Sequence, residues 1–214
     1  MTTAASGHTH RLDLEDATVR EWDATVLSAD PEQGIVLDRS AFYPGGGGQP
    51  PDEGVLLWGG VRTRIAGTRK GDELYLVPVE GDPVPPVGTA VRGALDDERR
   101  TALMRTHSGL HVLTGVVFRD FGALVTGGNM EPLTARMDFD LAELPPDFKE
   151  RVAESVNAEI AADRPIRVET LPREEAFAIP DIIRTATNLL PPDIEVVKVE
   201  TKGRGFRRLR VRIV

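Results

Sequence analysis

The sequence predicts an α+β fold. A β-rich N-terminal part over residues 1–94 is built as a small barrel or sandwich, and an α+β part over residues 95–214 is organised around one long helix. Three observations predict it. Runs of β-branched and aromatic residues, broken by glycine- and proline-rich turns, fill the first part. The period changes near Asp96, where apolar residues begin to recur at three- and four-residue steps. No long flexible linker separates the parts, so the two are expected to pack together.

Taken in order, TVREWDATVLS and GIVLDRSAFY read as strands with partial alternation, joined by the turn ADPEQG. The run from Tyr43 through Pro44, Gly45, Gly46, Gly47, Gly48, Gln49, Pro50 and Pro51 suits neither a helix nor a regular strand. DEGVLLWGGVRTRIAGTRKGDELYLVPVE continues as short strands, and GDPVPPVGT turns into a strand at VRGAL. A long helix follows, with Leu103, His107, Leu110, His111, Thr114 and Val117 on one side, Asp96 or Asp97 as its cap and Gly122 as its close. TGGNMEPLTARMDFDL reads as strand, turn, strand. PPDFKERVAESVNAEIAADRP is a second helix with Phe148, Val152, Val156 and Ile160 as its apolar stripe, stopped by Pro165. PIRVETLP is a strand, REEAFAIPD a short helix, and IEVVKVE and GFRRLRVRIV are strands around the turn TKGRG.

Composition narrows the function classes. With 40% hydrophobic and 28% charged residues the chain buries a core and is not disordered. No apolar run reaches the roughly 18 residues of a membrane helix, so no membrane partner is expected. MTTAASGHTHRLDLED carries no basic flank and no apolar stretch of a secretory signal. The absence of cysteine excludes disulfides, Cys-rich zinc fingers and a thiol nucleophile, and it fits a cytoplasmic protein. The net charge of −8 opposes global attraction to nucleic acid. Yet Lys198, Lys202, Arg204, Arg207, Arg208, Arg210 and Arg212 stand against Glu200 alone near the C-terminal end. Such a strip suits phosphate contacts, and equally suits an exposed strand edge kept soluble by charge.

Two further features can carry chemistry. His107 and His111 are four apart on the long helix, which puts both imidazoles on one face and suits one metal ion. Ser108 stands where a zinc protease motif needs glutamate, which disfavours that class. The plainer reading is two half-buried histidines satisfied by neighbours, and two donors alone cannot hold zinc tightly. The Gly45–Gly48 run is either a simple loop or a place where backbone N–H groups approach a substrate closely. Gln49, Ser40 and Tyr43 flank it, and a hydroxyl or amide there can select a substrate that carries its own hydroxyl.

Together these residues resemble one family. LDRSAFYPGGGGQPPDEG looks like the glycine-rich segment of freestanding alanyl-tRNA editing proteins, of the type F-Y-x-x-G-G-G-Q-x-x-D-x-G. RTHSGLHVL resembles the H-x-x-x-H helix that these share with the editing domains of alanyl- and threonyl-tRNA synthetases, and VETKGRGFRRLRVRIV is similar to the closing K-G-x-x-x-R-R segment. The likeness runs from about residue 12 to the C-terminus.

It implies a small β-barrel domain followed by an α/β-sandwich editing domain with a long metal-site helix. The implied activity is a metal-dependent deacylase that hydrolyses alanine tRNA wrongly charged with serine or glycine. On the same footing His107 and His111 are half of a zinc site, Ser40 and Gln49 line the amino-acid pocket, and these four form the catalytic set. Tyr43, the four glycines, Lys202, Arg204, Arg207 and Arg208 meet the tRNA acceptor end. The family's second metal pair, a C-x-x-x-H stretch, has no counterpart: Val197 runs directly into Lys198, and no histidine follows His111. Zinc is therefore expected to be held weakly or not at all, with Asp181 and Asp193 as the carboxylates left to complete a shell. The same gap suits an alternative, a tRNA-binding module of the same fold that has lost turnover. A hydrolase of small aminoacyl esters or amides, without nucleic acid, is a third reading.

Overall fold

The computed structural model describes residues 8–30, 32–163, 166–169, 172, 175, 178–179, 194–202 and 206–213, with backbone alone at Lys70 and in the strands beyond residue 163. The chain divides into two compact units, residues 1–105 with 130–134, and residues 106–129 with 135–214.

In the first unit, six antiparallel strands close a barrel in the order β2-β3-β7-β6-β5-β8. They are β2 (Glu21–Asp30), β3 (Gly34–Leu37), β5 (Gly54–Trp58), β6 (Val61–Lys70), β7 (Leu74–Pro78) and β8 (Ala90–Leu95). The mixed α+β class and the barrel follow the expectation. Closure needs sharp bending, and the register slips between Val26 and Ser28 and between Ile65 and Gly67 supply it. Alternation along β2 sends Trp22, Ala24 and Val26 inward, where they join Ile35, Leu37, Phe42, Leu56, Ile65, Leu76 and Val91. Trp22 meets Phe42 edge to face at 5.3 Å and donates its indole N–H to the Arg39 carbonyl at 3.1 Å. Gly93 makes room for that indole: a Cβ there would stand 2.4 Å from the Trp22 ring. Outside the barrel, β1 (His10–Arg11) pairs in parallel with β4 (Arg39–Ser40), followed by the one-turn helix α1 (Leu12–Glu15).

Helix α2 (Asp97–Phe121) begins as its cap predicts. Asp96 Oδ1 accepts the Arg99 N–H at 2.9 Å, and Gly122 closes the helix at φ +68°, its N–H on the Phe118 carbonyl at 2.9 Å. Strands β9 (Val125–Glu131) and β10 (Thr134–Phe139) pair around Pro132 and Leu133.

In the second unit, α3 (Phe148–Ala161) departs from the expected stripe at one residue. Phe148, Val152 and Val156 are half-buried, but Ile160 is 59% exposed. A row of every fourth residue drifts about 40° around the helix per step, so by its third step it has left the covered face. Glu159 stands on that face instead and takes the Arg119 guanidinium at 2.6 Å. Phe148 packs on Phe121 at 4.8 Å, with Arg151 over the Phe121 ring. The helix ends through Asp163 at φ +41°, while Pro165 lies outside the described residues, as does most of the short helix expected over REEAFAIPD. β11 (Ile166–Glu169), β12 (Ile194–Lys202) and β13 (Phe206–Ile213) form an antiparallel sheet in that order. No described helix is long and apolar enough to cross a membrane.

Candidate functional site

The four glycines form a tight turn rather than an open loop. Gly45, Gly46, Gly47 and Gly48 have φ of +79°, +121°, +60° and +83°, a succession only glycine adopts readily. Gly46 and Gln49 exchange backbone hydrogen bonds at 2.9 and 3.1 Å, so Gly47 and Gly48 are the corners of a two-residue turn with both φ positive. A Cβ on Gly46 or Gly47 would enter open space, so backbone conformation, not crowding, requires glycine there. Gly46, Gly47 and Gly48 are exposed, and Gln49 is drawn in to 9% exposure.

The turn is braced from several sides. The Tyr43 phenol donates to the Gly46 carbonyl at 3.0 Å. Asp52 closes the neck: its Oδ2 accepts the Tyr43 N–H at 2.7 Å and its own N–H reaches the Tyr43 carbonyl at 3.1 Å. Arg100, one turn into α2, holds Asp52 in turn. Its Nε lies 3.0 Å from both carboxylate oxygens, and Nη2 bonds the same carboxylate and the Ala41 carbonyl. Nη1 donates to the Ala17 carbonyl at 3.1 Å. Arg100 and Asp52 are 4% and 1% exposed, so this is a buried ion pair with its remaining hydrogen-bonding groups largely satisfied. On another side, the Met130 N–H at the end of β9 donates to the Gly48 carbonyl at 2.9 Å.

Ser40, at the end of β4, is 1% exposed, and its Oγ accepts the Phe42 N–H at 3.2 Å. That bond leaves the hydroxyl proton for a second acceptor. Ser40, Tyr43, the four glycines and Gln49 thus come from one stretch of the first unit. Asp52, Arg100 and Met130 were not foreseen as parts of the site. The aspartate was visible in the glycine-rich pattern, but without its partner it carried no role. A buried arginine in the first turn of a helix reads like any exposed one.

His107 and His111 stand on α2 in the second unit with rings stacked at 4.9 Å and 12° between planes. His107 is half-buried and His111 exposed. The chain's other histidines are engaged elsewhere, His8 with Glu73 at 2.8 Å and His10 with Glu15 at 3.2 Å. Among the described residues no three His, Asp or Glu side chains gather as a metal shell. Asp181 and Asp193 lie outside the described residues. Zinc takes three or four protein donors, so the donor set described does not complete a zinc site.

Of the basic residues, Lys202 closes β12 opposite Phe206, the first residue of β13, and Arg207 and Arg208 follow on β13 opposite Thr201 and Glu200 in register, while Arg204 lies outside the described residues. β12 passes without interruption through Val197 and Lys198, where the resemblance would place a metal-binding insertion. The strand takes up the junction as a register shift between Val196 and Lys198.

The chain is similar to known proteins of two kinds. A family model for class II (A) tRNA synthetases matches residues 15–99. Over 198 residues the chain is 32% identical to the alanyl-tRNA editing protein AlaX-M of Saccharolobus solfataricus, covering 89% of this chain and 80% of that protein. It is 35% identical over 195 residues to the alanine–tRNA ligase of Caldivirga maquilingensis, and 37% identical over 171 residues to that of Pyrococcus furiosus. These matches cover 89% and 78% of this chain but only 22% and 19% of the ligases, so the chain spans about a fifth of their length.

Proposed function

Starting from the fact that the chain belongs to the family of alanyl-tRNA editing proteins, we propose that it is a cytoplasmic hydrolase that removes serine or glycine from wrongly charged alanine tRNA. The observation that carries this reading is the four-glycine turn, held open to solvent at its tip and fixed at its neck by Tyr43 and Asp52. A rigid array of backbone groups suits an acyl ester, whose carbonyl oxygen gains negative charge as water adds. Ser40 and Gln49 are polar groups able to favour an amino acid bearing a hydroxyl.

The reaction is ester hydrolysis. Water adds to the carbonyl carbon, the bond from that carbon to the ribose oxygen breaks, and a proton returns to the ribose oxygen. Free amino acid and intact tRNA leave. An imidazole is the side chain suited to take and return that proton near neutral pH, which gives His107 and His111 a role that needs no complete metal shell. We propose that zinc is held weakly or not at all. After dialysis at neutral pH the protein should retain well under one zinc per chain, and a stoichiometry near one overturns this part. Lys202, Arg204, Arg207 and Arg208 are proposed to meet acceptor-end phosphates, which supply affinity without sequence information.

The test is release of serine from serine-charged alanine tRNA. Turnover by the wild type, lost in His107→Ala with folding retained, supports the reading. Equal activity in the variant removes the histidine role. Salt-sensitive tRNA binding without turnover would instead favour the second reading, a tRNA-binding module that has lost catalysis, which the absence of a three-donor cluster among the described residues also fits.

A further inference from the structure

Two buried side-chain atoms among the described residues lack a hydrogen-bond partner, the Thr68 hydroxyl and Nε of Arg99. Thr68 stands on β6 opposite the fully buried Leu76, so it faces the barrel interior. Arg99 stands on the first turn of α2, in the same unit as the glycine turn. The Glu53 carbonyl takes the Asp96 N–H at 2.9 Å and the Asp96 carboxylate takes the Arg99 N–H at 2.9 Å, which fixes Arg99 beside the neck of that turn.

Arg99 and its neighbour Arg100 differ in how they are satisfied. Every nitrogen of the Arg100 guanidinium is hydrogen-bonded. The Arg99 side chain makes one hydrogen bond, from Nη2 to the Pro51 carbonyl at 3.4 Å, well beyond the usual length of about 2.9 Å. Glu53 Oε1 stands 3.1 Å from Nε but outside hydrogen-bonding geometry, and at 44% exposure that carboxylate is itself hydrated. Nη1 has no acceptor among the described residues. The Arg99 side chain is only 20% exposed, so it has lost most of its water without gaining acceptors in exchange. Pro51, which it touches, also lies against Gly45, where a Cβ would stand 3.2 Å from the proline ring.

We propose that Arg99 binds a phosphate of the tRNA, the one attached to the ribose that carries the scissile ester. The proposal rests on the deacylase reading above. That phosphate is one ribose away from the ester, so the group that holds it must lie beside whatever holds the ester, as Arg99 lies beside the glycine turn. A guanidinium offers parallel N–H donors that match two phosphate oxygens, and Arg99 has those donors unspent.

Arg99→Gln removes the charge and the fork but keeps a polar side chain. KM for serine release should rise about tenfold with kcat within about twofold, the loss expected for a charge-assisted contact made equally before and during reaction. The slope of log affinity for tRNA against log salt should become shallower by about 0.7, the share of one single-strand phosphate. Lost packing alone leaves that slope where it was. Glu53→Gln separates the proposal from a structural ion pair. It removes the carboxylate that competes for Arg99, so tRNA binding should tighten about twofold, whereas a pair that only supports the fold predicts binding as weak as in Arg99→Gln. If Arg99→Gln does not fold, Glu53→Gln decides, and equal or weaker binding overturns the proposal. An unchanged salt slope in folded Arg99→Gln also overturns it while leaving the deacylase reading intact. If the wild type releases no serine, the deacylase reading fails, and the salt slope for a short single-stranded oligoribonucleotide decides the proposal. A shallower slope in Arg99→Gln upholds Arg99 as a phosphate contact, and an equal slope overturns it.

Discussion

Replacing Arg100 with methionine tests how the neck of the glycine turn is held. The change keeps an unbranched apolar stem but removes every donor. Asp52 would keep the Tyr43 N–H but lose its counter-charge at 1% exposure, and the Ala41 and Ala17 carbonyls would lose their guanidinium donors. Breaking a buried pair by removing one partner costs about 3–5 kcal/mol. That is a large share of the roughly 5–15 kcal/mol that holds a typical domain folded. For a chain of this size the thermal midpoint should fall by about 6–20 °C, at about 2–4 °C per kcal/mol. Thermal unfolding followed by near-ultraviolet circular dichroism reads the loss. Amide exchange at Gly46 and Gln49, whose mutual hydrogen bonds depend on the neck, should quicken in the variant that remains folded. Because most of the cost lies in the stranded carboxylate, Asp52→Leu combined with Arg100→Met should recover much of it. A midpoint loss below about 3 °C in the single variant would refute the buried-pair account, since it corresponds to about 1 kcal/mol. A double variant no more stable than the single would refute the assignment of the cost to uncompensated charge.

Three other outcomes follow from the same geometry. Gly48→Ala should cost about 1–2 kcal/mol, because alanine at φ +83° pays the left-handed penalty, and serine release should fall with it; denaturant midpoints and single-turnover assays measure the two. Asp96→Ala should cost about 1 kcal/mol in urea unfolding, since the Arg99 N–H loses its cap. Asp82 is held down to about 2 by the Arg64 side chain and the Arg64 backbone N–H, so its contribution is present above the ordinary carboxylate range and is lost as pH falls through about 2. The stability gap between wild type and Asp82→Asn should therefore be constant near neutrality and close between about pH 4 and pH 2, as read by chemical denaturation across that range.

The barrel was legible because alternation and burial agree along each long strand, as β2 shows with Trp22, Ala24 and Val26 inward. The cap at Asp96 and the close at Gly122 were legible because each uses chemistry confined to a few neighbouring residues. The pairing of His10 and Arg11 with Arg39 and Ser40 was not, since two residues give no period to read. Ile160 misled because a fixed four-residue step does not match the helical repeat, which gave Glu159 the covered place. At the site, the glycine run announced unusual backbone, but its form depends on partners 48 and 82 residues away, Arg100 on Asp52 and Met130 on Gly48. The Pro132–Leu133 corner was legible as a turn, but not as one that places leucine in a glycine conformation.

Helix α2 is shared property: Arg100 is counted with one unit and His107 with the other, on a single uninterrupted run of backbone. Any attempt to excise either half at the unit boundary would cut that helix and strand its cut ends. Libraries that recombine the chain with relatives should therefore place their crossovers beyond Phe139, which keeps the helix whole, Arg100 with Asp52 and Met130 with Gly48.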